Sequence, residues 1–308
     1  MNKVHVIVNP LSARGKTGVR WEALKEIFNH YFEEFKYIFT EKPRQATEMV
    51  REFLKEGFDL IIGVGGDGTL NEITNGYFGK DSNRAINADA SLGIVPSGTG
   101  SDFIRFLKIP RDFKKSVELI KNSQTRKIDV GKIAFKNSTG ESSGRYFINI
   151  ADFGLGAEVI KKVSAMPPLK RTALLYYKGL LSTIKSYKSS KVRVIIDDSE
   201  EIEGNFMAGA IANGRMFGGG MLIAPEAEPD DGCFDVVLIR DMKRFEIIRN
   251  SYLLYNGKIL KHPKVTMRRA KNVKVFSEEE VNVECDGELG ITVPAEFSII
   301  EKGVNFRI

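Results

Sequence analysis

The chain has 308 residues, 42% hydrophobic and 28% charged, which suits a globular protein with a real core in one large or two medium domains. Its 46 Lys plus Arg against 40 Asp plus Glu leave a net charge of +6, an excess that fits attraction to phosphate or an anionic membrane and equally an ordinary solvated surface. Cys233 and Cys285 have no metal-ligand spacing, His5, His30 and His262 are isolated, Met1–Val8 is not a signal peptide, and no apolar run approaches the roughly 18–20 residues of a membrane span, so the expectation is a cytoplasmic protein whose membrane contact is peripheral.

Val4–Val8 reads as an apolar strand, and Thr17–Phe32 as a helix on the spacing of Trp21, Leu24, Ile27, Phe28 and Phe32. A short strand at Lys36–Phe39, a helix at Arg44–Leu54, a buried strand at Leu60–Val64, a helix at Leu70–Tyr77 and a strand at Leu92–Val95 follow. This alternation predicts a parallel sheet covered by helices, and such sheets bind ligands at the carboxyl ends of their strands. From about Lys127 strand-like runs dominate: 128–134, 146–150, 192–196, 206–213, 234–239, 273–276 and 281–285. Gly, Asn and Asp fill the turns, which predicts a mostly antiparallel β domain. Helical insertions are expected at about Leu169–Tyr187 and Arg244–Leu254.

The sharpest motif is Gly63-Val64-Gly65-Gly66-Asp67-Gly68-Thr69-Leu70-Asn71-Glu72, which leaves a buried strand and opens a helix. Glycines let backbone N–H groups approach phosphate oxygens, and the helix N-terminus favours the same anion. Gly63, Gly65 and Gly68 also satisfy a dinucleotide fingerprint, but Asp67 would set a carboxylate against phosphate unless a cation lay between, which suits a Mg²⁺-nucleotide better. Pro10 to Thr17 resembles a P-loop except at its first glycine, where Pro10 lacks an N–H. Two further strand-end turns, Asn9-Pro10-Leu11-Ser12 and Pro96-Ser97-Gly98-Thr99-Gly100-Ser101-Asp102-Phe103, can converge on the same nucleotide. Read singly, Asp102 is also a helix cap, Asp129 a strand-end residue and Asp286-Gly287 a hairpin turn.

Together these segments resemble the catalytic family of the diacylglycerol kinases, bacterial members above all, and the related sphingosine kinases, over essentially the whole chain. Asn9-Pro10-Leu11-Ser12 is similar to the family's first motif, Gly65 to Thr69 to a motif shared with NAD kinases, and Cys285-Asp286-Gly287-Glu288 to a late Asp-Gly-Glu motif. Ala13 stands where a glycine is usual, and Ser101-Asp102 replaces a common Asn-Asp.

The resemblance implies an α/β N-terminal nucleotide-binding domain plus a C-terminal mostly antiparallel β-sandwich domain. The expected division is 1–130, joined by the tail 295–308, and 131–294. It implies ATP contacts from Asn9, Ser12, Thr40, Gly65, Gly66, Asp67, Gly68, Thr69, Leu70, Asn71 and Thr99. Asp67, Asp102 and Asp129 match positions tied to catalytic Mg²⁺ through water. Asp286 matches the proposed general base, with Glu288 beside it, and Glu228, Asp231 and Cys233 match a structural Mg²⁺ loop in which Asp231 gives a carboxylate and residues 228 and 233 give carbonyls. The implied function is an ATP- and Mg²⁺-dependent kinase acting on a membrane lipid hydroxyl. The acceptor stays open among diacylglycerol, a long-chain base, a polyprenol and phosphatidylglycerol. The alternatives are a kinase of a soluble acceptor such as NAD and a non-catalytic membrane-binding module.

No nucleic-acid motif is recognisable. Lys161 to Arg193 carries no acidic residue, and its lysines interleave with Leu169, Leu174, Leu175, Leu180, Leu181 and Ile184. That pattern fits either an anionic-membrane surface element or a helix packed on the β domain with its lysines solvated.

Overall fold

The computed structural model describes residues 3–79, 82–98, 101–137, 139–165 and 173–308. It divides into two compact units, 1–128 with 302–308, and 129–301.

In the first unit the elements in chain order are β1 (Val4–Val8), α1 (Lys16–Val19), α2 (Trp21–Tyr31), β2 (Phe35–Phe39), α3 (Gln45–Lys55), β3 (Leu60–Gly65), α4 (Asp67–Tyr77), β4 (Ser91–Pro96), α5 (Asp102–Phe106) and α6 (Phe113–Asn122). Strands β2, β1, β3 and β4 lie side by side and all parallel. The chain's last strand adds Asn305 and Phe306 parallel to Ser91 and Leu92 of β4. β1, β3 and β4 are buried along their whole length, as expected where helices cover both faces. Val6, Ile62, Val64 and Val95 meet Trp21, Leu24 and Phe28 of α2 and Val117 and Ile120 of α6 in one core. Gly76 lets α3 and α4 touch, since a Cβ there would lie 2.5 Å from Thr47 O. The helix expected at Thr17–Phe32 breaks at Arg20, whose N–H bonds back to Lys16 O.

The second unit carries β5 (Thr125–Lys136, entering from the first), β6 (Ser142–Phe147), β7 (Ile150–Gly154), α7 (Leu155–Ser164), α8 (Ala173–Ile184), β8 (Ser190–Ile196), β9 (Glu200–Ala212), β10 (Met216–Phe217), β11 (Met221–Leu222), β12 (Phe234–Arg240), α9 (Arg244–Asn250), α10 (Tyr252–Tyr255), β13 (Val265–Ala270), β14 (Asn272–Phe276), β15 (Asn282–Cys285), β16 (Glu288–Thr292) and β17 (Ala295–Arg307). Pairing here is antiparallel. β9 pairs β8 through its first half and β7 and β12 through its second, so one long strand serves two parts of the sheet. Alternation gives the sheet two apolar faces. Phe153, Phe206, Phe234 and Phe297 fill one core, while Ile150, Ala210, Val237 and Ile239 face the other way into a core shared with α7 and α8. The unit is thus a β-sandwich-like body with helices laid on one face.

Two sequence expectations change here. The strand expected at 146–150 is two strands, because Ile148 and Asn149 turn their N–H groups away from the ladder to the Asp286 carboxylate. The helix expected at 244–254 is two, broken at Ser251. Among the described residues no helix is long and apolar enough to cross a membrane.

Candidate active site

In the first unit the sequence-predicted residues gather at the carboxyl ends of the parallel strands. Backbone bonds carry the ladder one step past each strand: Thr40 N to Val8 O at 2.9 Å, Asn9 N to Val64 O at 3.0 Å and Ser97 N to Gly65 O at 2.7 Å. The loops after β2, β1, β3 and β4 therefore open in one row. Side chains tie the row together. Asn9 Nδ2 donates to Thr69 Oγ1 at 3.2 Å, Ser12 Oγ lies 2.6 Å from Thr17 Oγ1, and Thr17 Oγ1 in turn contacts Ser97 Oγ.

Gly66 caps α4 without a side-chain acceptor, so the helix's first N–H groups point into the loop row. Gly65 must lack a side chain, because a Cβ there would lie 2.1 Å from Thr69 Oγ1. Gly68 differs: a Cβ there would meet nothing within 4 Å, so it borders open space at the helix start. That space and those donors suit the phosphates of a nucleotide. Leu70 has its side chain fully buried, and its N–H closes the first turn on Gly66 O. Thr69 and Asn71 are also buried. Glu72, at the motif's end, accepts from Arg44 N and Ala46 N and so holds the start of α3.

Asp67 lies against the start of α5: Asp102 N donates to Asp67 Oδ2 at 2.6 Å, and the Asp102 carboxylate pairs with Arg105. Thr99 lies outside the described residues, as do Leu169, Lys170 and Arg171 of the basic stretch.

In the second unit Asp286 and Gly287 form the two-residue turn of the β15–β16 hairpin, with φ of 50° and 86°. Positive φ at both positions is the primed turn that suits strand twist, and Asp-Gly is among the residue pairs that adopt it. The turn presents the Asp286 carboxylate to β6–β7, where it accepts from Ile148 N at 2.8 Å and from Asn149 N and Ile150 N at 3.1 Å each. Three of a carboxylate's roughly four acceptor sites thus hold it in place. Glu288 is paired with Cys285 across the same hairpin.

The loop 228–233 is built by ion pairs and backbone bonds. Arg215 pairs with Glu228, Arg269 pairs with Asp231, and Cys233 N donates to Asp231 Oδ1 at 3.1 Å. Asp129 is fully buried and belongs to this loop, taking Gly232 N on Oδ2 at 2.7 Å while its own N–H goes to Pro229 O. A cation at Asp231 would compete with Arg269 for its carboxylate.

The sequence reading missed one feature of the second unit, an apolar pocket of about 980 Å³ including its open mouth. Leu155, Val159, Leu180, Met207, Ile239 and Leu254 line it, with Asp152 among them. Residues on β7, α7, α8, β9, β12 and α9–α10 meet there only after folding, so no local pattern announces it. Lys178, Lys185 and Lys188 are exposed while Leu180 and Ile184 are buried, so α8 spends its apolar face on the core. Among the described residues of this unit, the large exposed apolar side chains lie on α9 and α10: Phe245 74%, Ile248 50%, Tyr252 59% and Tyr255 44% exposed.

Residues 3–133 match the diacylglycerol kinase catalytic domain, and residues 149–306 match the YegS C-terminal NAD kinase beta sandwich-like domain. A diacylglycerol kinase of Bacillus subtilis (strain 168) is 30% identical over 298 residues, 96% of this chain and 93% of its own. One of Staphylococcus aureus (strain MRSA252) is 30% identical over 315 residues, 98% of this chain and 91% of its own. A crystal structure from Bacillus anthracis str. Sterne, provisionally assigned as a diacylglycerol kinase, superposes with a TM-score of 0.78 at 25% identity over 99% of this chain and 95% of that one. An NAD kinase from Archaeoglobus fulgidus in complex with ATP shares the fold, with a TM-score of 0.51 at 15% identity over 96% and 89% of the two chains. The chain belongs to the diacylglycerol kinase family, enzymes that phosphorylate an alcohol group, and to those members that join the catalytic domain to a YegS-type β-sandwich-like domain.

Proposed function

We propose that this chain moves the γ-phosphate of ATP onto the hydroxyl of a diacylglycerol-like membrane lipid, giving a phospholipid such as phosphatidate. The observation that carries the lipid reading is the apolar pocket of the second unit. One of its lining residues, Asp152, pairs across the strands with Glu284, two residues before Asp286. A soluble, highly charged acceptor such as NAD gains nothing from such walls, whereas an acyl chain gains about 0.8 kcal/mol per buried CH₂.

The roles divide by unit. Residues 1–130, with the tail 295–308, serve the nucleotide. The first N–H groups of α4, the loops at Asn9–Ser12 and Thr40, and Thr99 hold its phosphates and ribose. Asp67 and Asp102 would hold Mg²⁺ through water, and the ion supplies neutralisation of phosphate charge. Residues 131–294 serve the lipid. Asp286 accepts the proton of the attacking hydroxyl as the bond to phosphorus forms, and Glu288 adjoins it. The three backbone N–H donors fix the carboxylate's aim. Asp129 supports the loop 228–233 by its burial and its bond to Gly232. Peripheral contact with an anionic membrane would use the exposed apolar face of α9–α10, flanked by Lys243, Arg244 and Arg249.

Asp286→Asn tests the assignment. The substitution removes the proton acceptor but also sets an amide NH₂ against a backbone N–H that a carboxylate oxygen accepts, so it is read with a thermal melt; in folded protein kcat on lipid should fall by about 10²-fold or more. ATP affinity should stay within a few-fold of the parent. Collapse of ATP affinity with little change in kcat would make Asp286 a structural residue and move the base elsewhere.

A further inference from the structure

Two neighbouring peptide units bind the same oxygen of Asp286. The unit joining Ile148 to Asn149 and the unit joining Asn149 to Ile150 both give their N–H to Asp286 Oδ1, at 3.1 Å each. In a planar trans peptide the C=O points away from the N–H, so both carbonyls face the far side of the turn. One residue meets them both. Asn213 Nδ2 donates to Ile148 O at 2.7 Å, and Asn213 N donates to Asn149 O at 2.9 Å. Gly214 N adds a second bond to Asn149 O at 2.9 Å. Asn213 Nδ2 also donates to Asp129 O at 2.9 Å, which ties the same turn to β5.

Asn213 is fully buried and stands one residue past the end of β9, where the register with β7 sets Ala212 opposite Ile150. Its amide is fixed in one orientation, because a flip would set Oδ1 against the two carbonyls that Nδ2 now answers. Oδ1 has no partner of its own. What the side chain supplies is therefore its donors. Ionised aspartate and leucine offer none in that place, and serine offers one. Hydrogen bonds in a chain polarise one another, so a peptide gripped at its carbonyl is a stronger donor at its N–H. The grip also fixes direction, since the turn cannot tilt towards or away from Asp286 without breaking bonds from residues 213 and 214.

We infer that Asn213 is a positioning residue for phosphoryl transfer, aiming the Asp286 carboxylate at the acceptor hydroxyl through the peptides of the 148–150 turn. The inference rests on the reading of Asp286 as the base and adds the residue that sets its aim. Asn213 touches neither the carboxylate nor the nucleotide loops of the first unit, so its removal should slow the transfer and leave binding alone. A displacement of about 1 Å in a reacting group can cost about 10²-fold in rate.

The test is a double-mutant cycle in the full-length chain: parent, Asn213→Ala, Asp286→Ala and the double variant. For each, kcat and KM are read on 1,2-diacylglycerol in mixed micelles, ATP affinity by calorimetry and folding by thermal melt. Asn213→Ser, which keeps one donor and disturbs the fold less, runs through the same cycle. With Asp286 present, Asn213→Ala should lower kcat by about 10-fold or more, with lipid KM and ATP affinity within about 3-fold of the parent. The serine variant should show the same pattern with a smaller loss. In the Asp286→Ala background either substitution should change kcat by less than about 3-fold, because nothing is left to aim. An equal loss with and without the carboxylate, no loss at all, or a loss carried by KM or ATP affinity overturns the inference and leaves the base reading intact. Failure of both Asn213 variants to fold makes the residue a determinant of folding and overturns its positioning role. An Asp286→Ala protein as fast as the parent, or a parent that leaves diacylglycerol unphosphorylated, overturns the underlying reading and this role with it.

Discussion

Gly65 and Gly68 stand three residues apart in one glycine-rich motif, yet the structure gives them opposite surroundings. An alanine at 65 would put its Cβ 2.1 Å from Thr69 Oγ1 and 2.6 Å from Thr69 Cβ. Thr69 is buried and receives Asn9 Nδ2, so it cannot swing away without releasing the loop after β1. Overpacking of this kind costs about 1–3 kcal/mol, and Gly65→Ala should lower Tm by several degrees. At Gly68 the same methyl meets nothing within 4 Å, and the residue sits in the first turn of α4 at ordinary negative φ. Replacing a helical glycine by alanine there should stabilise by roughly 0.5–1 kcal/mol. The methyl enters the space assigned to phosphate, however, where N–H and oxygen must approach to about 2.9 Å. Losing one bond to a charged group costs about 1.5–3 kcal/mol, or roughly 10- to 150-fold in ATP affinity. Gly68→Ala should therefore be slightly more stable and much weaker for ATP. Thermal melts followed by circular dichroism, with ATP binding by calorimetry, read both. A Gly68→Ala protein that binds ATP like its parent would refute the phosphate cradle at α4, whatever its Tm.

Two further outcomes are expected. His5 is buried in β1 with its ring 3.6 Å from that of Phe53, and burial lowers its pKa from 6.5 to about 4. The unfolded chain then binds the proton first, so stability is fully present above pH 6.5 and falls as pH drops toward 4, by at most about 3 kcal/mol. His5→Phe should flatten urea-unfolding free energies across that window relative to the parent, and an unchanged slope would count against the buried neutral imidazole. On α9, Phe245→Ser with Ile248→Ser should weaken sedimentation with anionic vesicles about 10-fold or more, as each apolar side chain withheld from lipid forfeits about 1.5–3 kcal/mol when full burial is lost. Unchanged binding would move membrane contact away from α9–α10.

Much of the first unit was legible because its code is local. Glycines at strand ends, an acid at a helix start and 3.6-residue apolar spacing lie within a few residues of one another, and β3 and α4 follow where they predict. Asp286-Gly287 was legible as a hairpin for the same reason. What it holds was not. The break between β6 and β7 comes from Ile148, Asn149 and Ile150 giving their N–H groups to a residue more than 130 positions away. Leu70 stands in the glycine motif, and the 3.6 period of α4 turns its side chain inward. At the loop 228–233 the sequence could not show that Arg269, on β13, pairs with Asp231. The apolar stretch of α8 was as compatible with a membrane as with a core, and Leu180 and Ile184 go to the core. The acid pair Asp152–Glu284 had no sequence signal at all, since antiparallel register alone makes them neighbours.

Phosphoryl transfer from ATP to a lipid hydroxyl is tested most directly by incubating the purified chain with γ-³²P-ATP, Mg²⁺ and either mixed-lipid vesicles or NAD, followed by extraction into organic solvent and separation of the labelled products. Label should appear in a chloroform-soluble phospholipid, dependent on Mg²⁺, and none in NADP. Label in NADP with none in lipid would contradict that transfer.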